Sequence, residues 1–270
     1  MRRSKIVCTL GPATNSEDKI RSLMKAGMNV VRINRSHGTQ AEADEQIALV
    51  RQVEKEFEYP VAVLVDLQGP KIRLGTFTNG VESLILGQDF TITTRDVPGD
   101  SSIVSTTFKG LPGDCHPGDV LLIDDGNVQV RVTRVEGEDV VTKVEVPGEV
   151  SDHKGLNLPG VAVSVPALSE KDEDDLRWAL TRDVDYIALS FVRRAADLDD
   201  LHKVMDEVGH HLPVIAKIEK PQAVDNLQEI IHAFDAVMVA RGDLGVEMPL
   251  EEVPTVQKRA IELCRAEAKP

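Results

Sequence analysis

The run Val214-Ile215-Ala216-Lys217-Ile218-Glu219-Lys220 and its sequel Val237-Met238-Val239-Ala240-Arg241-Gly242-Asp243-Leu244-Gly245 decide how this 270-residue chain is read. Each is an apolar, strand-like stretch that breaks into charge at its C-terminal end. Their carboxylates, Glu219 and Asp243, stand 24 residues apart, a spacing that suits one helix between two parallel strands. Side chains at i and i+2 of a strand share a face, so Lys217 and Glu219 are expected to point into one site. Two acidic groups beside a buried lysine are what a hard divalent ion and a phosphorylated substrate need. Taken alone, the same residues read equally well as an ordinary ion-pair network at strand ends.

Working outward, the same rhythm recurs. Apolar strands are expected at 5–10, 29–34, 61–65, 186–191 and 236–240, besides 214–218. Between them lie helical spacings. Thr14-Asn15-Ser16-Glu17 offers a cap for a helix carrying Ile20, Leu23 and Met24 and closed by Gly27. Ala43, Ile47, Val50, Val53 and Phe57 trace a second helix, and Ser169 caps another through Leu176, Ala179 and Leu180. Further helical faces carry Leu198, Leu201 and Met205, then Val224, Leu227 and Ile231, then Val256, Ala260 and Cys264.

From 72 to 166 the texture changes to short alternating runs, such as Val128-Gln129-Val130-Arg131-Val132, broken by turn signals. Asn79-Gly80, Leu111-Pro112-Gly113-Asp114 and Asp124-Asp125-Gly126-Asn127 are examples, and no segment shows helical periodicity. An all-β insertion, a small barrel or sandwich, is expected there. The fold class is therefore α/β, either an open doubly wound sheet or a (β/α)8 TIM barrel with six of its eight strands. Ending on Ala268-Lys269-Pro270, where another strand is due, favours the barrel cut short. The expected division is 1–70 for the first part of the barrel, 71–166 for the inserted β-barrel lid and 167–270 for the second part.

Composition narrows the function. A net charge of −14, from 31 basic and 45 acidic residues, with 3% aromatic content, speaks against a nucleic-acid surface. No apolar run reaches the roughly 20 residues of a membrane span, and Met1-Arg2-Arg3-Ser4-Lys5 leads into a strand rather than a signal-peptide core, so no membrane and a cytoplasmic location are expected. Cys8, Cys115 and Cys264 are far apart, which disfavours a zinc site or a disulfide framework. An anionic ligand in such an acidic chain must be held by local cations or a metal.

In a βα barrel the catalytic groups occupy the C-terminal strand ends. Those ends carry Arg32, Asn34 and Ser36; Asp66 with Gly69-Pro70-Lys71-Ile72-Arg73; Lys217 and Glu219; and Arg241-Gly242-Asp243. Gly242 and Gly245 flank Asp243 in a turn before a helical segment. There they would bare backbone N–H groups for an anion or supply φ > 0. Asp152-His153-Lys154-Gly155 is a weaker candidate, a basic glycine-containing loop.

Several stretches in order resemble the pyruvate kinase family: Ile6-Val7-Cys8-Thr9-Leu10-Gly11-Pro12, Ser36-His37-Gly38, Asp66-Leu67-Gln68-Gly69-Pro70-Lys71-Ile72-Arg73, Lys154-Gly155-Leu156-Asn157-Leu158-Pro159-Gly160, Lys217-Ile218-Glu219 and Ala240-Arg241-Gly242-Asp243-Leu244-Gly245. The resemblance runs the whole length, with the β insertion where that family has its mobile B domain. It implies phosphoryl transfer from phosphoenolpyruvate to ADP, giving pyruvate and ATP. By the same resemblance Glu219 and Asp243 hold Mg²⁺ or Mn²⁺, Lys217 stabilises charge on the transferring group, and Arg32 and Arg73 hold phosphate. Gly242 takes the substrate carboxylate, and Asn34, His37, Arg73 and Lys154 serve the nucleotide.

Departures matter as much. The family's K⁺ ligands match Asn34, Ser36 and Asp66, but Leu67 replaces a threonine and Lys71 a glutamate, so Lys71 is expected to supply the charge of K⁺ and K⁺ not to be required. Arg35 stands where the family usually has phenylalanine and, at i+1 from Arg32, is expected on the other face. The resemblance puts the threonine that protonates the enolate, the last two strands and the regulatory domain beyond Pro270. The intact enzyme is then expected to be a homotetramer, and this chain alone unstable, oligomeric or inactive. Other readings are a Mg²⁺-dependent pyruvate-enolate lyase or aldolase, and a non-catalytic ligand-binding fragment.

Overall fold

The computed structural model describes residues 4–161 and 163–270; the Met1-Arg2-Arg3 start lies outside them. Strand β1 (Val7–Thr9) leads into α1 (Glu17–Ala26), β2 (Val30–Asn34), α2 (Gln40–Glu54) and β3 (Ala62–Asp66). Gly27 ends α1 at φ 99°, a conformation a Cβ would resist, and two helix carbonyls are capped by its N–H. Thr39 opens α2 with a reciprocal capping box to Glu42. The expected cap at Ser16 differs: its side chain makes no capping bond.

The insertion follows as β4 (Val81–Leu84), β5 (Asp89–Thr93), β6 (Ile103–Ser105), α3 (Leu111–Asp114), β7 (Val120–Ile123), β8 (Val128–Glu136), β9 (Asp139–Val146), β10 (Gly148–Ser151) and β11 (Leu156–Asn157). Its main sheet runs β11-β7-β8-β9-β5-β6, mostly antiparallel, with β10 and β4 as a separate pair. The turn signal at Leu111 is a single helical turn, α3, the one helix among the described residues of an otherwise all-β segment. Phe90, Ile92, Leu121, Val130 and Val140 belong to its own apolar core.

The strand-helix order then resumes with α4 (Glu170–Leu180), β12 (Tyr186–Leu189), α5 (Asp197–Val208), β13 (Val214–Ile218), α6 (Pro221–Asp225), α7 (Leu227–Ala233), β14 (Ala236–Val239), α8 (Arg241–Glu247) and α9 (Val253–Ala266). Ser169 caps α4 as expected, with Asp172 completing the box. The single helix expected around Val224 and Leu227 is two, α6 and α7. Asn226 lies at the break, and its side-chain amide donates to the Arg193 carbonyl at 2.9 Å.

The strand order β1-β2-β3-β12-β13-β14 separates the two architectures. Every neighbour is parallel and in chain order. A doubly wound sheet reverses direction at a switch point. This sheet advances one way only, as a (β/α) barrel does, and β12 docks beside β3 as if the insertion were absent. The Val237 N–H donates to the Pro270 carbonyl at 3.2 Å, which places the end of the segment after α9 beside β14. The main core fills the space between these strands and their helices, with Val31, Val63, Ile187 and Ala216 fully buried. No described helix is long and apolar enough to cross a membrane.

Candidate active site

Register brings the strand ends level. Asn34 pairs with Asp66, and Asp66 with Ala188. At that level Asp66, fully buried, accepts Arg32 Nε at 2.6 Å and Nη2 at 2.5 Å. Lys217 approaches from β13, its Nζ 3.3 Å from Asp66 Oδ1, 2.8 Å from Glu219 Oε1 and 2.8 Å from Ser190 Oγ. The expected i, i+2 pairing of Lys217 and Glu219 is therefore a direct contact. Ser190 passes its own hydroxyl to the Leu67 carbonyl at 2.7 Å, which fixes it as an acceptor for the ammonium.

Glu219 is 1% exposed and Lys217 8%. Burial pushes the Glu219 carboxyl up, and the negative charge of Asp243 adds to this, while Lys217 and the Phe191 N–H oppose it. Burial acts to lower the Lys217 ammonium, but the charges of Glu219 and Asp66 outweigh it and hold it above its ordinary value. The Phe191 N–H reaches Glu219 Oε2 at 2.9 Å. To make that bond Phe191 adopts φ 56°, a left-handed conformation rare for a bulky residue.

Beside this cluster a cleft opens between the strand ends and the insertion, lined by Lys71, Asn157, Phe191, Lys220 and Asp243 among others. Asp243 is exposed in the first turn of α8. Gly242 and Gly245 lie inside that helix rather than in a turn before it, and neither has positive φ. Close packing accounts for Gly245, where a Cβ would meet Leu250 Cδ2 at 2.5 Å. A Cβ on Gly242 would face open space.

Arg73 and Lys154 sit on the two crossings into the insertion. Arg73 Nη1 donates to the His153 carbonyl at 2.9 Å, and Lys154 Nζ pairs with Asp124 at 2.8 Å. Lys71 is exposed beside Gly155. On the opposite flank Asn34 and His37 line a second pocket with Thr9 and Pro12. Ser36 lies past the end of β2, its N–H bonded to Asn34 Oδ1 at 3.0 Å. Arg35 points away from this mouth: 3% exposed, it donates to Asp175 Oδ1 at 3.1 Å and to the Thr39 carbonyl at 3.0 Å, with Trp178 against its guanidinium.

The donor set has a definite chemical taste. Among the described residues no group of three or more His, Cys, Asp or Glu side chains converges. Glu219 and Asp243 are two oxygen donors, one buried and one open to the cleft, and the charge of Asp243 acts on the Glu219 carboxyl. That suits Mg²⁺ or Mn²⁺, which keeps water or substrate oxygens in its remaining positions, and not zinc in a closed site. The thiols are elsewhere; burial pushes Cys115 up to about 12, far from a nucleophile.

All 270 residues match the family model described as pyruvate kinase, barrel domain. The chain belongs to the pyruvate kinase family. It is 56% identical over 269 residues to the pyruvate kinase of Corynebacterium glutamicum, an overlap of 100% of this chain and 57% of that protein. Identity to the Mycobacterium tuberculosis pyruvate kinase is 55%, with the same coverage. To that of Methylorubrum extorquens it is 46%, over 100% of this chain and 56% of the relative. The chain thus spans little more than half the length of these relatives.

In this chain, sequence reasoning passed over Ser190, Phe191, Lys220 and Glu247. Ser190 and Phe191 carried a usable signal, since they end the β12 run at the level where the other strand ends bear site residues. Glu247 carried none. It is one helical turn beyond Asp243, and only the packing of α8 turns it inward, where Lys220 Nζ meets it at 2.6 Å.

Proposed function

We propose that this chain carries the metal and phosphoryl-transfer half of a pyruvate kinase site, acting on phosphoenolpyruvate and ADP to give pyruvate and ATP. The observation that supports it most is one buried ammonium, Lys217, shared by Glu219, Asp66 and Ser190 beside the Arg32 guanidinium. In the reaction the bond from the phosphoryl group to the enol oxygen breaks, a bond to the terminal phosphate of ADP forms, and carbon takes up a proton. Phosphoryl transfer asks for positioning and for charge stabilisation on the transferring oxygens.

Lys217 would meet the negative charge that develops on the enol oxygen and the transferring group. Arg32, anchored by Asp66 and by Thr9 at 2.9 Å, would hold the phosphate from one side, and Arg73 from the other when the insertion closes. Gly242 would present backbone to the substrate carboxylate. Asn34, His37 and Lys154 would hold the nucleotide phosphates. Mg²⁺ or Mn²⁺ on Glu219 and Asp243, when bound, supplies the neutralising charge that lets two phosphate-bearing anions meet in a chain of net charge −14.

The proposal extends to organisation. Residues 1–70 and 167–270 act as the barrel and 71–166 as a lid, a division supported by the separate apolar cores. K⁺ is not required: Asp66 already serves Arg32 and Lys217, and Leu67 offers no side-chain oxygen. The intact enzyme works in the cytoplasm as a homotetramer. Pyruvate formation from phosphoenolpyruvate by the full-length gene product tests the central reading. It should need both ADP and Mg²⁺, and pyruvate released equally well without ADP would overturn it.

A further inference from the structure

Glu219 and Asp243 reach the site from different segments, the end of β13 and the first turn of α8, so something must hold their spacing. Each has a neighbour that turns to the other segment. Lys220 follows Glu219, and Glu247 stands four residues after Asp243, on the same helical face. Lys220 Nζ meets Glu247 Oε1 at 2.6 Å, and Glu247 is 5% exposed. The other oxygen, Oε2, is buried with no hydrogen-bond partner among the described residues, so Lys220 is the cation that makes this carboxylate tolerable there.

The contact continues on both sides. The Lys220 ammonium lies 5.5 Å from the centre of the Phe191 ring, and Phe191 is the residue whose strained backbone N–H holds Glu219. Asn157, in β11 of the insertion, donates to the same Glu247 oxygen at 2.8 Å. A line of contacts runs from Glu219 through Phe191, Lys220 and Glu247 to the helix bearing Asp243.

We propose that the Lys220–Glu247 pair is a positioning brace that sets the separation of the two metal-binding carboxylates, with Asn157 joining the insertion to it. The inference rests on the reading of Glu219 and Asp243 as the divalent-cation ligands. Neither Lys220 nor Glu247 touches the metal or substrate in this scheme; they act through Phe191 and α8.

The test is Mn²⁺ binding to the full-length gene product, followed by the spin-resonance signal of free Mn²⁺, without turnover. Lys220→Met and Glu247→Gln should each weaken binding by about tenfold or more, the usual range for groups that orient metal ligands. The double variant Lys220→Gln with Glu247→Gln keeps a hydrogen-bonded neutral pair and removes the uncompensated buried charge. It should therefore recover most of the lost affinity, and either single variant serves as the test if the other proves too unstable to purify. Glu219→Gln is the separate control. If it abolishes binding while the Lys220 and Glu247 variants bind Mn²⁺ as the parent does, the brace is refuted and the metal site stands. If Glu219→Gln binds normally, the metal site falls, and the brace with it.

Discussion

Lys217 Nζ lies 2.8 Å from Glu219 Oε1, and the same ammonium reaches Asp66 Oδ1 at 3.3 Å, so one buried cation neutralises carboxylates from two strands. Removing it leaves Glu219 without its counter-charge in a place water does not reach, while Asp66 keeps only Arg32. Lys217→Met is expected to destabilise the fold by about 3–5 kcal/mol, the cost of stranding a buried charge. Adding Glu219→Gln should return part of that loss. Urea unfolding of the two variants measures both numbers, and equal midpoints for parent and Lys217→Met would contradict the arrangement.

The raised Glu219 carboxyl sets a pH dependence. The folded state holds this proton more tightly than the unfolded chain does. Without metal the group therefore favours the fold below the ordinary carboxylate range, and that contribution is lost as pH rises through the folded value. A divalent cation competes with the same proton. Mn²⁺ affinity should rise with pH from the ordinary glutamate range up to the raised value and then level off. Titrations at a series of pH values check it; affinity that is flat, or falls as pH rises, would be inconsistent.

Arg35 is buried in a network in which Lys171 Nζ also reaches Asp175 at 2.6 Å and the Arg35 carbonyl at 2.7 Å. Burial acts to raise the Asp175 carboxyl, yet Lys171, Arg35 and Gln40 hold it below its ordinary value. Restoring the family's residue with Arg35→Phe should cost about 2–4 kcal/mol, and neutralising the abandoned partner with Asp175→Asn should offset part of it. Because Arg35 backs the loop carrying Asn34 and His37, KM for ADP should rise more than kcat falls. Thermal melts and steady-state kinetics read the two effects separately.

At Gly69 φ is 74°, and an added Cβ would stand 2.6 Å from Phe191 Cδ2. Its N–H is also bonded to Asp172 Oδ1 at 3.0 Å, inside the cap of α4. Gly69→Ala should lower stability by roughly 2 kcal/mol or more, through backbone strain and overpacking together. A urea midpoint unchanged from the parent would show that Phe191 yields without cost.

Replacing K⁺ by tetramethylammonium should leave the turnover of the full-length gene product essentially unchanged. A rate that collapses in the organic cation and returns with K⁺ would sink the proposal that this site works without it.

Much of this was written in local chemistry. Periodicity and caps determine where strands and helices lie, because a two-residue repeat and a helical repeat bury different faces. The alternation rule is enough to put Lys217 beside Glu219 and to turn Arg35 away from Arg32, since both depend only on neighbours along one strand. The run of strand-end charges likewise marks a candidate site from sequence alone.

What tertiary structure alone decided are relations between segments remote in the chain. The strand order is one, because β12 docks on β3 across the whole insertion, a pairing that no local pattern states. The seat of Arg35 on Asp175, 140 residues away, is another. So is the inward turn of Glu247 to meet Lys220, which follows from how α8 packs. The glycines near Asp243 read as a loop from their composition, yet both lie in α8, and Gly245 is held there by Leu250, which needs the space a Cβ would fill. Sequence determines which groups are available at each strand end; packing determines which of them share a counter-charge.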